Sequence, residues 1–205
     1  MKRPSPKWED HYSRQAKKDN YPARSVYKLQ EIQSRNKIIK KGDRVLDLGC
    51  SPGSWILYAS ALAGEKGSVV GLDIKPVTVD LPGNARIYIC DILSIDDEML
   101  SSVGNDFNVV ISDMAPATTG SKSVDSARSY DLCMAAFDIA NRVLSPGGSF
   151  VCKIFQGDDF KKFSDMVKAA YETHRIFKPQ SSRKASKEIY IIGLGFKGSG
   201  IQGFK

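Results

Sequence analysis

A lysine and an aspartate, each placed at or near the end of an apolar run, are the residue pair best suited to chemistry. Lys153 lies within the apolar segment 151–155, and Asp113 directly follows the apolar segment 107–112. Burying an unpaired ammonium group is costly, so Lys153 needs an acidic partner, and Asp113 is the one we predict. A lysine that has released its proton can serve as a general base. The pair therefore indicates proton transfer, with a purely structural ion pair as the alternative.

A glycine-rich turn follows the first apolar run, at 45–48, and leads into a helical pattern that starts at Ser54. Gly49 and Gly53 allow the backbone to approach a ligand closely, and the first amides of the helix point towards it. The turn favours an adenosine-containing cofactor, and an ordinary strand-to-helix turn is the alternative. The dinucleotide pattern G-x-G-x-x-G is absent, and Pro52 interrupts the turn. The absence of this dinucleotide pattern disfavours a dehydrogenase.

Two further carboxylates follow the next two strand-like runs. Asp73 lies about twenty residues beyond the glycine turn, where an acidic residue can accept hydrogen bonds from ribose hydroxyls. Asp91 is placed to accept a hydrogen bond from an exocyclic amine, with Ile92 beside it to pack against a base. Asp91 could instead cap a helix or a turn. Lys28, on the first predicted helix, and Glu188, at the start of the last predicted strand, could reach the same ligand-binding site.

The elements that must position these residues alternate along the chain, which predicts an α/β fold with a mostly parallel sheet and helices on both faces. Ligands of such sheets bind beyond the carboxyl ends of the strands. Pro22 is well placed to start the first helix, and the segment 145–148 should end the long helix predicted before it. Seven strands are predicted at 44–48, 68–73, 86–90, 107–112, 149–154, 172–177 and 188–194, and the main helices at 54–63, 126–144 and 158–170.

Charge is distributed unevenly over the 205 residues, whose net charge is +7. Residues 1–41 hold 12 Lys or Arg against 4 Asp or Glu, and 175–205 hold 7 against 1, so the middle of the chain is acidic. If the two ends converge, they form a cationic surface suited to a phosphate backbone, and the aromatic residues among them could stack on bases. We predict a nucleic-acid partner, with solvated polar ends as the alternative. Residues 1–21 read as a basic arm, and 22–205 as a single domain.

Composition excludes several other classes. No apolar stretch is long enough to span a membrane, and the first residues do not resemble a signal peptide, so we expect a cytoplasmic monomer. The four cysteines, Cys50, Cys90, Cys133 and Cys152, contain no C-x-x-C pair and are predicted to be reduced packing residues. The two histidines are expected at the surface. No metal-binding spacing is present, so we predict no metal site.

Six segments together resemble the FtsJ/RrmJ family of S-adenosylmethionine-dependent RNA ribose 2′-O-methyltransferases. The resemblance extends in order over nearly the whole chain, and its segments are 23–29, 45–55, 71–76, 112–116, 152–155 and 182–190. It implies a single Rossmann-like methyltransferase domain over 22–205. One departure is Ser54, where the family usually has a second glycine after Pro-Gly.

The resemblance also implies roles for particular residues. Lys28, Asp113, Lys153 and Glu188 would form a catalytic tetrad, with Lys153 as the base. S-adenosylmethionine would be contacted or bordered by Gly49, Gly53, Trp55, Asp73, Asp91 and Asp113. The family precedent points to a uridine in large-subunit ribosomal RNA, with transfer RNA as the second candidate substrate.

Some functional questions stay open at this level. A lysine in water has a pKa of about 10.4, so a neutral lysine at pH 7.4 costs about 4 kcal/mol. A cation such as Lys28 and partial burial favour the neutral form, whereas carboxylates favour the charged form and are better suited to orient the base. Lys28 could instead bind a substrate phosphate. Residues 117–129 could form either a mobile lid or a plain surface loop. The alternative of another class is an RNA-binding factor in ribosome assembly.

Overall fold

The computed structural model describes residues 11–183 and 185–198. Within these ranges the chain forms six α-helices and seven strands. The helices are α1 (His11–Lys18), α2 (Val26–Asn36), α3 (Ser54–Ala63), α4 (Asp97–Val103), α5 (Lys122–Val143) and α6 (Phe160–Ala170). The strands are β1 (Arg44–Leu48), β2 (Ser68–Asp73), β3 (Ala85–Ile89), β4 (Phe107–Ser112), β5 (Leu144–Phe155), β6 (Tyr171–Phe177) and β7 (Glu188–Phe196).

The seven strands form one sheet in the order β3-β2-β1-β4-β5-β7-β6. The pairs from β3 to β5 are parallel, and β7 runs antiparallel to both β5 and β6. The predicted mostly parallel sheet is therefore confirmed. The chain builds outwards from β1 to β3 and then returns to place β4 on the other side of β1. The carboxyl ends of β1 and β4 thus flank the point where strand order reverses, which is where α/β sheets bind ligands.

Helices cover both faces of the sheet, as predicted. Side chains alternate between the faces along a strand, so Leu46 and Leu48 join the core beneath α4, α5 and α6, whereas Val45 joins the core beneath α2 and α3. The middle residues of the central strands, 45–48 of β1, 69–72 of β2 and 109–111 of β4, are buried from both sides and are therefore apolar. Asp47 of β1 is an exception.

Three predicted boundaries differ from the observed ones by four or five residues, and several others differ by one or two. The helix predicted to start at Pro22 begins at Val26 as α2, because the hydrogen bonds across 23–28 join residues three apart, as in successive turns, rather than four apart. The long helix α5 begins at Lys122, so the second half of 117–129, which was expected to be a lid or a surface loop, is the first two turns of α5. The segment 145–148 follows the end of α5, as predicted, but β5 begins before it. Leu144 pairs with Phe107 and Ser149 with Val109, so 145–148 form a bulge within β5.

Part of the predicted basic arm is helical. Helix α1 buries Ala16, and the ring of Tyr12 lies 5.5 Å from that of Tyr27 on α2. Tyr27 Oη donates to Asp19 just beyond α1. Residues 1–10 of the arm lie outside the described residues. No helix in the described part of the chain is long and apolar enough to cross a membrane.

Candidate active site

Four charged side chains meet at one edge of the sheet. Lys153 Nζ lies 2.9 Å from Asp113 Oδ1 and donates to the main-chain oxygen of Asp113 at 2.6 Å. Lys28 Nζ lies 2.9 Å from both carboxylate oxygens of Glu188 and 3.8 Å from Asp113 Oδ1. The structure thus brings together Lys28, Asp113, Lys153 and Glu188, and the predicted pairing of Lys153 with Asp113 is present.

The fold explains why residues so far apart in sequence converge. Asp113 directly follows β4, and Lys153 lies near the end of β5, the parallel neighbour of β4. Because β7 is antiparallel to β5, its first residue, Glu188, pairs with Phe155 at the same edge. Lys28 projects from the first turns of α2, and only 9% of the residue is exposed. A charge this deeply buried requires the carboxylates around it.

Opposing effects act on Asp113. Burial by itself would raise the pKa of its carboxyl group, but Lys153, Lys28 and the hydroxyl of Tyr190 outweigh burial and hold the pKa below its ordinary value. Asp113 is therefore a carboxylate throughout the physiological pH range. It can hold the ammonium groups of both lysines at once.

Tyr190 is a site residue that the sequence analysis missed. Its hydroxyl donates to Asp113 Oδ1, and its ring lies 5.9 Å from that of Trp55, nearly parallel to it. Burial and the neighbouring carboxylates of Asp113 and Glu188 raise the pKa of Tyr190, which therefore remains a neutral donor. The hydroxyl of a tyrosine in a buried strand usually finds a hydrogen-bond partner, and this was the available signal.

A cavity of about 670 Å³ adjoins the four charged residues at the carboxyl ends of β1, β2 and β4. It has the size of a small-molecule site. Its lining combines carboxylates with apolar side chains: Asp73, Asp91, Asp113 and Asp131 with Ile74, Ile92, Leu93 and Met114, beside Gly49 and Pro52. An adenosine-containing cation fits this lining. The carboxylates can accept hydrogen bonds from ribose hydroxyls and ammonium groups, and the apolar side chains can pack against a base.

The two carboxylates after β2 and β3 also hold the local backbone. Asp73 accepts from the amides of Ser51 and Lys75, which ties the glycine turn to the end of β2. Asp91 accepts from the amide of Leu93 and caps a 3₁₀ turn. Asp91 is thus a cap, as the alternative prediction had it, and it also lines the cavity.

Two predicted cofactor contacts do not line the cavity. Gly53, with φ of +120°, is a position where an added Cβ would stand 2.7 Å or less from Val77 and Val79, so the glycine is needed for packing. The side chain of Trp55 is buried in the core, and its Nε1 donates to the main-chain oxygen of Ser25. Both residues hold the shape of the turn, and direct contact with a cofactor stays a prediction.

Asp47 is a second residue that the sequence analysis passed over. It is fully buried in β1, and neither of its carboxylate oxygens has a hydrogen-bond partner among the described residues. Burial, together with the negative charges of Asp113 and Asp73, raises the pKa of Asp47 well above its ordinary value. Its surroundings thus favour the protonated form of Asp47 beneath the site.

A larger groove of about 1180 Å³ lies elsewhere, between α3 and the edge of the sheet. It is bordered by Arg44, Ser68 and Ala85, the first residues of β1, β2 and β3. These are the amino ends of the parallel strands, opposite to the end where such sheets bind ligands. The smaller cavity is therefore the better candidate for a cofactor site.

Fold and site together are those of an α/β enzyme with a small-molecule cavity beside a cluster of charged side chains. The FtsJ-like methyltransferase family model matches residues 21–196. A ribosomal RNA large subunit methyltransferase E from Desulforapulum autotrophicum is 57% identical over 190 residues, covering 93% of this chain and 94% of that protein. A protein of the same name from Bdellovibrio bacteriovorus is 49% identical, covering 92% and 97%.

Solved structures agree with this comparison. A crystal structure described as a ribosomal RNA methyltransferase from Plasmodium falciparum superposes with a TM-score of 0.75 at 25% identity, covering 87% of this chain and all of that one. A structure described as an rRNA methylase from Clostridium thermocellum, at 18% identity and a TM-score of 0.57, shares the fold. The chain belongs to the FtsJ-like methyltransferase family and is a methyltransferase.

Gly49 offers a test of the cavity. Its φ is +79°, and an added Cβ would stand 2.5 Å from Met114 Cγ, so Gly49→Ala must strain the turn and displace a cavity-lining side chain. We expect the dissociation constant of the cofactor to rise about tenfold, corresponding to about 1.4 kcal/mol. Isothermal titration with S-adenosylmethionine measures it. Gly64→Ala is the control, since Gly64 also has positive φ but open space around it; equal affinities of Gly49→Ala and wild type would contradict the cavity assignment.

Proposed function

We propose that this methyltransferase transfers a methyl group from S-adenosylmethionine to a ribose 2′-hydroxyl of RNA, with Lys153 as the general base. The observation that carries the proposal is the meeting of Lys153, Asp113, Lys28 and Glu188 at the mouth of the cavity. A ribose hydroxyl must lose its proton as it attacks, so a positioned base beside the cofactor is what this reaction needs.

The residues divide the work as follows. S-adenosylmethionine supplies a methyl group on a positively charged sulfonium, so the protein must align the hydroxyl and accept its proton. Lys153 Nζ, in its neutral form, accepts that proton. Asp113 holds Nζ in place through its carboxylate and its main-chain oxygen, and it stabilises the resulting ammonium group. Glu188 holds Lys28, whose Nζ lies 3.8 Å from Asp113 Oδ1, the same oxygen that Lys153 contacts.

The cavity residues would hold the cofactor in the proposed complex. Asp73 lies where its carboxylate can accept from ribose hydroxyls, and Asp91 can accept from the exocyclic amine of adenine. Ile92 and Leu93 provide an apolar surface for the base. The carboxylates also attract the net positive charge of S-adenosylmethionine.

A basic pocket supports RNA as the substrate class. It has a volume of about 220 Å³, adjoins the four charged residues, and is lined by Arg24, Ser25, Lys28, Arg183, Ser186 and Glu188. Arginine, lysine and serine hydroxyls are the usual partners of phosphate oxygens. Arg24 comes from the basic start of the chain and Arg183 from its basic end, so the two regions converge as the charge distribution suggested. The neighbouring Lys184 lies outside the described residues.

The relatives favour ribosomal RNA over transfer RNA. Proteins at 57% and 52% identity that cover more than nine-tenths of this chain are named for the large-subunit ribosomal RNA. We therefore propose a uridine of the large-subunit RNA as the target. Phosphate contacts carry little sequence information, so the choice of nucleotide depends on RNA shape and on a base turned out of its stack.

The proposal is tested by offering methyl-labelled S-adenosylmethionine and the purified protein to large ribosomal subunits, naked ribosomal RNA and transfer RNA. We expect label on a ribose of the large-subunit RNA, located by nuclease mapping. Label in transfer RNA alone would replace the substrate assignment. Absence of transfer to every RNA, with cofactor binding intact, would overturn the proposal.

A further inference from the structure

Ser54 joins the cofactor turn to the segment that precedes the first catalytic lysine. Its hydroxyl accepts from the amide of Ala23 at 2.8 Å and donates to the main-chain oxygen of Ala23 at 3.0 Å. Only 1% of Ser54 is exposed. One buried side chain therefore satisfies both main-chain polar groups of a residue 31 positions away.

The next residue adds a third bond to the same segment. Trp55 Nε1 donates to the main-chain oxygen of Ser25 at 2.8 Å, and Ser25 is the residue before α2. Ser54 and Trp55 thus hold 23–25 from the first turn of α3. Directly beyond this segment α2 begins and places Lys28 against Glu188 and Asp113.

The other side of the turn is anchored separately. Ser51 donates through its amide to Asp73 and through its hydroxyl to the main-chain oxygen of Pro76. The turn around Gly53 therefore lies between two fixed points, the end of β2 and segment 23–25. The Ser54 hydroxyl makes two of the three bonds to the second point, and neither glycine nor alanine can make them.

We propose that Ser54 is a positioning residue for methyl transfer: it sets the distance between the cofactor turn and the segment that carries Arg24 and Lys28. The inference rests on the proposed function, because Lys28 and Arg24 matter to the reaction only if an RNA hydroxyl is the acceptor. Loss of the hydroxyl leaves the cofactor cavity lined as before, since Ser54 is not part of its lining. Loss of the hydroxyl instead misaligns the acceptor, and small displacements of an acceptor strongly reduce the rate of transfer.

Ser54→Ala and Ser54→Gly test the positioning role. We expect kcat for methyl transfer to fall about 10- to 100-fold with the KM for S-adenosylmethionine unchanged. Ser60→Ala is the matched control: Ser60 is also buried on α3, but among the described residues its hydroxyl bonds only to the main-chain oxygen of Ile56, within the same helix. A kcat equal to that of wild type in both Ser54 variants, or the same loss in Ser60→Ala, would overturn the inference.

Hydrogen exchange provides a readout that does not depend on activity. The Ala23 amide should exchange slowly in the wild type and in Ser60→Ala, and about tenfold or more faster in Ser54→Ala, because its acceptor is removed. Unchanged exchange at Ala23 would contradict the link itself. A wild-type protein that methylates no RNA would instead count against the proposed function, and the two failures are thereby distinguished.

Discussion

Replacing Lys153 by alanine is expected to lower kcat for RNA methylation about 10²–10⁴-fold, the range associated with a general base, while S-adenosylmethionine still binds. Lys153 is 6% exposed and contacts Asp113 through both the carboxylate and the main-chain oxygen of that residue. In the variant, Asp113 keeps Lys28 and Tyr190 as partners, so its charge stays compensated. Single-turnover methyl transfer gives the rate, and titration calorimetry gives the cofactor affinity.

Two further substitutions separate a base from a mere cation. Lys153→Arg keeps a positive charge beside Asp113, but a guanidinium group does not release its proton in proteins, so we expect a loss as large as in Lys153→Ala. Lys161→Ala is the control for loss of a lysine, because Lys161 is exposed on α6 and pairs only with Asp165 among the described residues. Near-normal turnover in Lys153→Arg would contradict the base assignment.

In the absence of cofactor, Asp47→Asn is expected to make the protein more stable than wild type, by a margin that grows as the pH rises. The folded state raises the pKa of Asp47 well above its ordinary value of 3.8. Between these two pKa values the folded protein binds a proton that the unfolded chain has released. The free energy of unfolding of the wild type therefore decreases with increasing pH, by up to about 1.4 kcal/mol per pH unit from this group. Asparagine does not titrate, and the variant lacks this decrease.

Chemical denaturation of both proteins at pH 5, 6, 7 and 8 measures the effect. The difference between variant and wild type cancels the contributions of the other titrating groups, so its slope reports on Asp47. The exposed Asp80→Asn controls for the loss of one negative charge. A difference that stays constant from pH 5 to pH 8 would show that Asp47 is ionised in the folded protein.

Parts of the fold could be predicted from sequence because a buried segment has a recognisable pattern of apolar residues. Strands β1, β2 and β4 were predicted with their observed ends, since a strand covered by helices on both faces is a continuous apolar run. The first residues of β5 were missed because Pro146 and Gly147 signal a turn. These two residues lie in a bulge between Leu144, which pairs with Phe107, and Ser149, which pairs with Val109.

Part of the candidate site could likewise be predicted from the sequence. Lys153 and Asp113 were predictable because a charge in an apolar run must have a partner, and parallel neighbours end at one edge. The sequence alone also indicated the cofactor turn from Gly49 and Gly53, together with the opposite charges of the ends and the middle.

Only the tertiary structure decided which groups these residues meet. Tyr190 reaches Asp113 across 77 positions, and Ser54 reaches Ala23 across 31, because β7 and α3 happen to pack there. Asp47 is unpaired for the same reason: alternation turns it towards α2 and α3, where no partner follows among the described residues. Burial of a residue type is a property of its own segment, whereas the partner of a hydroxyl or a carboxylate depends on how distant segments pack, which no local pattern contains.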